Sequence, residues 1–171
     1  MPTTAVVPFA EALEAIGPAC PSELSGCVIL AAASAGPLKE VARRVTETLT
    51  GQVVSVMDIT GLAAHDALPH LHSRKAVFLI ASSDWPCLKL ARKRAAWLRS
   101  QGLEDRCGLV LWHVEGGASA ELAEDYTGLP VCALLDRDEH IERFAEWIAA
   151  EHRRAAVRQL GALDEQAARL A

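Results

Sequence analysis

Short, almost wholly apolar runs alternate along this chain with longer stretches in which apolar residues recur every three or four positions. The runs cover residues 27–33, 53–57, 76–81, 107–113 and 131–135. Strands buried on both faces read this way, because neither side of the sheet meets water. After Gly36-Pro37, Leu38, Val41, Val45 and Leu49 repeat at helical spacing, while Lys39, Glu40, Arg43, Arg44 and Glu47 are left for solvent. Pro37 suits the first helical position, where its missing N–H costs no hydrogen bond. A second helix is predicted over 86–100, ending before Gly102, and a short third over 119–127, ending at Gly128. A long last helix over 139–160 carries Ile141, Ala145, Ile148, His152 and Ala155 on one face, and Gly161 is expected to interrupt it.

Strand, helix and strand within about thirty residues make a βαβ unit with a right-handed crossover. Repetition of the unit predicts a single α/β domain, with a parallel sheet of about five strands and helices on both faces. Residues 1–25 hold one helical stretch, 8–16, broken by Gly17-Pro18 and Pro21, and read as an N-terminal arm. The α/β domain then spans 26–160, and 161–171 form a C-terminal tail.

The chain of 171 residues is long enough for a full core, and 51% of it is apolar, which excludes disorder. Its net charge of −5 gives no general attraction to nucleic acid or anionic membrane. Glu11 and Glu14 interrupt the early apolar stretch, so no signal peptide is read there, and no apolar run spans a bilayer. A cytoplasmic protein is the expectation. Cys20, Cys27, Cys87, Cys107 and Cys132 contain no CxxC pair. Cys27, Cys107 and Cys132 lie in or beside strand runs, where a thiol serves as a small hydrophobe.

The stretch from residue 53 to about 150 resembles the pilus-assembly and division-site ATPases of the CpaE/MinD/ParA kind, and CpaE-like members most. Val53-Val54-Ser55-Val56-Met57-Asp58-Ile59-Thr60-Gly61 is similar to the family strand that ends in Asp-x-x-Gly. Ser82-Ser83-Asp84-Trp85-Pro86-Cys87-Leu88 is similar to its polar turn and Pro-Ser-Leu helix start. Val110-Leu111-Trp112-His113 stands where the family has Leu-Asn-Arg, and Gly128-Leu129-Pro130-Val131 resembles the turn into a later strand. The resemblance implies a P-loop NTPase-like sheet, and a remnant nucleotide site at Asp58, Gly61, Trp112 and His113.

The departures imply loss of that site. The strand over 28–33 runs into Ser34-Ala35-Gly36-Pro37-Leu38-Lys39-Glu40, with one glycine, a proline without an N–H, and a carboxylate beside the lysine. A phosphate loop works by aiming backbone N–H groups at phosphate, each charge-assisted bond contributing about 1.5–3 kcal/mol. Trp112 cannot supply the amide with which the family's Asn reads adenine. The strand over 28–33 is either the decayed phosphate-loop strand or another family strand that precedes Asp-x-x-Gly. The need to fill the centre of the sheet slightly favours the first, while the residues around Ala35-Gly36-Pro37 match the second better. No catalysis, no cofactor and no metal are expected.

Three further constellations have plain alternatives. His65, His70 and His72 read as a solvated loop rather than a zinc site, which would need three or four converging ligands. Lys89, Arg92, Lys93 and Arg99 form a stripe on the helix over 86–100, with Arg94 pointing elsewhere and Leu88, Ala91, Ala95 and Leu98 buried. Such a stripe would give a salt slope of only about 3–4 on duplex DNA. Phe144 and Trp147 read as core rather than as a membrane-surface face, since Glu142, Glu146 and Glu151 line that helix.

The resulting expectation is a non-catalytic scaffold or localisation partner, in pilus assembly or secretion, that binds a protein or a second copy of itself. Trp85, Lys89, Arg92, Lys93 and Trp112 are its candidate partner-binding residues. One alternative is a pseudo-receiver signalling domain, although Ala33-Ser34 and Leu134-Leu135-Asp136 stand where a receiver keeps its acidic pair and its lysine. The other is a ParA-like module binding DNA without sequence preference.

Overall fold

Apolar strands that cannot face water on either side must be covered twice, and the helices of this chain divide accordingly. The computed structural model describes residues 28–34, 36–51, 56–60, 63, 66–67, 71 and 76–170. Strand β1 (Val28–Ala32) leads into α1 (Pro37–Gly51), and β2 (Val56–Asp58) follows. Then come β3 (Ala76–Ser82), α2 (Trp85–Ser100), β4 (Cys107–Trp112), α3 (Ala120–Thr127), β5 (Val131–Leu135) and α4 (Asp138–Leu170). The five strands form one sheet in the order β2-β1-β3-β4-β5, and every pairing is parallel.

This is the order of the flavodoxin-like doubly wound sheets. The expected parallel α/β domain is present, with five strands among the described residues. β1 is interior, flanked by β2 and β3.

Helices α1 and α4 pack together over one face, and α2 and α3 over the other. On the first face Leu38, Val41, Ala42, Val45 and Leu49 of α1 are buried, so the helical spacing identified that stripe correctly. Phe78 of β3 meets Phe144 of α4 edge to face at 5.4 Å, and Trp147 stacks on Phe144 at 6.1 Å. Phe144 and Trp147 are therefore core residues. Arg44, read as a solvent residue, is instead half-buried between α1 and α4, reaching Asp138 at 3.0 Å and Glu142 at 3.8 Å.

Local chemistry sets the helix ends. Asp84 caps α2 by accepting the Cys87 N–H at 2.9 Å, and Ser119 caps α3 by accepting the Leu122 N–H at 3.2 Å. Gly128 closes α3 in the left-handed conformation at φ 73°, which a side chain would resist.

Two boundaries differ from expectation. The second strand is Val56–Asp58, reaching one residue further than the run over 53–57, and residues 52–55 lie outside the described residues. The last helix passes through Gly161 and continues to Leu170. A single interior glycine costs about 1 kcal/mol relative to alanine. Its neighbours Leu160, Ala162, Leu163, Glu165, Gln166 and Ala167 are good helix formers, and propagation prevails. The proposed arm over 1–25 lies outside the described residues, as do Cys20 and Cys27.

Candidate functional site

In a sheet of this order, the connections leave β1 and β3 in opposite directions, which opens a crevice at the carboxyl ends of those two strands. Four turns meet there. The turn after β1 supplies Ser34, the end of β2 supplies Asp58 and Thr60, the turn after β3 supplies Ser82, Ser83 and Asp84, and β4 ends in Trp112 and His113.

The first turn of α1 is poorly suited to an anion. Pro37 has no N–H, and the N–H groups of Lys39 and Glu40 both donate back to the Gly36 carbonyl, at 3.0 and 3.4 Å. Glu40 stands in the same turn. Hydrogen bonding from Arg43 holds its carboxyl below the ordinary carboxylate range. A helix N-terminus attracts phosphate through open N–H groups, and here Pro37 has none, that of Lys39 is engaged with Gly36, and a negative charge sits beside them.

Asp58 is occupied as well. It accepts the Thr60 N–H at 2.9 Å and the Thr60 hydroxyl, while Thr60 Oγ1 accepts the Ala32 N–H at 2.9 Å. The carboxylate thus ties the end of β2 to β1 through one threonine. Gly61 of the Asp-x-x-Gly segment lies outside the described residues.

Around the crevice, α2 and β3 close on each other. The Ser82 N–H donates to Cys87 Sγ at 3.3 Å, and Ser34 Oγ lies 3.8 Å from the same sulfur. The Ser82 hydroxyl donates to Asp84, and this bond, helped by the N–H groups of Cys87 and Asp84, holds the Asp84 carboxyl below its ordinary range. A persistent negative charge therefore stands at the mouth of the crevice. Ser83 is fully buried; its N–H donates to the Trp112 carbonyl at 2.9 Å, and its Oγ accepts the Val114 N–H at 2.8 Å. Trp112 is half-buried against the core, and the His113 N–H donates to the Leu135 carbonyl at 2.7 Å.

Trp85 is different. It is 45% exposed at the start of α2, edge-on to Tyr126 of α3 at 5.4 Å, and the Arg92 guanidinium lies over the Tyr126 ring at 4.8 Å. The expected stripe of cations is correspondingly split. Arg92 is held on Tyr126, and Arg99 reaches Glu104 at 3.1 Å and the Gly128 carbonyl at 3.4 Å. Lys89 and Lys93 remain exposed, and Lys93 shares a cavity with Arg94 on the side of α2 away from α3. Leu88, Ala91, Ala95 and Leu98 are buried as expected.

Sequence reasoning missed Tyr126, which is distant in the chain from both of its partners. It also missed the capping role of Asp84, although an Asp just before Trp85-Pro86 at a helix start is a readable cap signal. A further pair escaped it: His140 is buried at the start of α4, with Nδ1 2.9 Å from the Asp136 carboxylate. Among the described residues no cluster of three or more His, Cys, Asp or Glu side chains could hold a metal ion. His65, His70 and His72 lie outside those residues. No described helix is long and apolar enough to cross a membrane.

No protein-family model matches the chain, and no curated protein matches it. Among solved structures it is similar to the rubredoxin oxygen:oxidoreductase of the anaerobe Desulfovibrio gigas, at 11% identity and a TM-score of 0.56 over 85% of this chain. The match covers 39% of that protein, so this chain spans well under half of its length. It is also similar to c3406 of Escherichia coli CFT073, solved in complex with A5P, at 15% identity and a TM-score of 0.50, covering 86% of this chain and 79% of that one. A pilus assembly-related protein from Burkholderia pseudomallei aligns at 18% identity and a TM-score of 0.44, covering 75% of this chain and 92% of that one. At such identities the likeness is one of fold.

Proposed function

We propose that this chain is a non-catalytic, cytoplasmic protein of CpaE/MinD-like descent that acts as a scaffold or localisation partner, and that it meets its protein partner through the Trp85 surface. The observation that carries the reading is Trp85 itself, exposed, propped edge-on by Tyr126 and flanked by Arg92. Trp, Tyr and Arg dominate the energetics of protein interfaces, and an aromatic already held in place loses little freedom on binding. Pilus assembly or secretion as the setting comes from the resemblance of residues 53 to about 150 to CpaE-like proteins.

The lack of catalysis is supported by the crevice. A nucleotide would meet a proline, N–H groups already bonded to Gly36, and the carboxylates of Glu40 and Asp84. A pseudo-receiver signalling role is the second reading, favoured by the strand order. Against phosphorylation stands the engagement of Asp58 with Thr60.

Affinity capture with the wild-type chain and with Trp85→Ala/Arg92→Ala tests the proposal. A specific partner retained by the first and lost by the second, with an unchanged melting temperature, is expected. Equal capture by both proteins rejects the Trp85 surface. Calorimetry with ATP and magnesium tests the other half, and a dissociation constant in the low micromolar range rejects a lost nucleotide site.

A further inference from the structure

A cavity of about 380 Å³ opens on the α2 side of the sheet, apart from both the crevice and the Trp85 surface. Its floor is the sheet itself, through Ala31 of β1 with Val77 and Leu79 of β3. Trp97 of α2 and Ile59 beyond β2 stand on opposite sides of it. Among the described residues the lining is apolar apart from two neighbouring cations, Lys93 and Arg94. The volume is at the small end of the range for ligand pockets, which runs from roughly 300 to 1,000 Å³.

The two cations distinguish this cavity from a packing defect. Among the described residues, Lys93 and Arg94 have no carboxylate within salt-bridge distance and no hydrogen-bond partner. An apolar floor favours a chain or ring over a sugar or a phosphate, because it offers those groups no donors or acceptors. Two cations beside it favour an anionic end.

We propose that this cavity binds a small amphipathic carboxylate, with its apolar chain over Ala31, Val77 and Leu79 and its carboxylate between Lys93 and Arg94. Arg94 is half-buried and Lys93 is exposed, so the two charges flank the mouth of the cavity. The site is independent of the partner reading, since Lys93 and Arg94 lie on the other side of α2 from Tyr126.

Octanoate is the probe, with 1-octanol as its neutral counterpart, each titrated calorimetrically into the full chain. Saturable binding of octanoate at one site is expected, tighter than that of octanol. Lys93→Ala/Arg94→Ala should weaken octanoate about tenfold or more and leave octanol unchanged. Ala63→Trp, at an exposed lining residue, should block both. No saturable octanoate binding, equal affinity for octanol, or binding that neither variant alters would each overturn the proposal.

Discussion

Ser83 locks the end of β3 to the turn after β4: its hydroxyl accepts the Val114 N–H at 2.8 Å, and its carbonyl accepts the Ala118 N–H at 2.8 Å. The residue is fully buried, so neither group has water as a substitute. Ser83→Ala should cost about 1–3 kcal/mol by leaving the Val114 N–H unpaired. Gly117→Ala should destabilise by a different route, since a Cβ there would come within 2.8 Å of the Ser83 carbonyl oxygen. Urea midpoints of the two variants check both effects.

The lowered pKa of Asp84 has a definite sign in stability. The folded state prefers the ionised carboxylate, which accepts from Ser82 and from the Cys87 N–H. Its contribution is full above the unfolded value of about 3.9 and fades as pH falls through the lower folded value. Asp84→Ala should therefore cost about 0.5–2 kcal/mol at neutral pH, the usual worth of an N-cap. The gap between wild type and variant should narrow in strongly acidic solution. Thermal melts across acidic pH give the test.

Cys107 is buried at the start of β4, donates to the Leu103 carbonyl at 3.0 Å, and has its thiol pushed up to about 12 by burial. Thiolate is the reactive form, so this cysteine should resist alkylation in the native protein. Mass spectrometry after brief iodoacetamide treatment should find Cys107 unmodified until denaturant is added. Rapid native labelling there would show the strand end to be open.

DNA binding should be weaker than the stripe of cations on α2 implies. With Arg92 on Tyr126 and Arg99 at Glu104, only Lys89 and Lys93 are left on the exposed face. Two phosphate contacts give a salt slope of about 2. A gel shift with random duplex near physiological salt should show no complex. A complex abolished by Lys89→Glu/Lys93→Glu would favour the ParA-like alternative.

The sequence by itself determined the sheet and most of its cover. The strand runs were legible because a strand buried on both faces has to be apolar throughout. The α1 stripe and the helix end at Gly128 were legible because they follow from spacing and from backbone conformation within a few residues. The missing phosphate loop was equally local, a matter of Gly36, Pro37 and Glu40. Tertiary structure alone decided which side chains share a place. Arg92 reads as a solvent cation until α3 brings Tyr126 beneath it, and Lys93 and Arg94 acquire a cavity only because Ala31, Val77 and Leu79 come from other strands. Gly161 shows the same limit on a smaller scale, since a helix break is a contest between one residue's entropy and its neighbours' propensity. Local patterns encode which face of an element avoids water; contacts between distant elements depend on how the faces pack, and no short window of the chain contains that information.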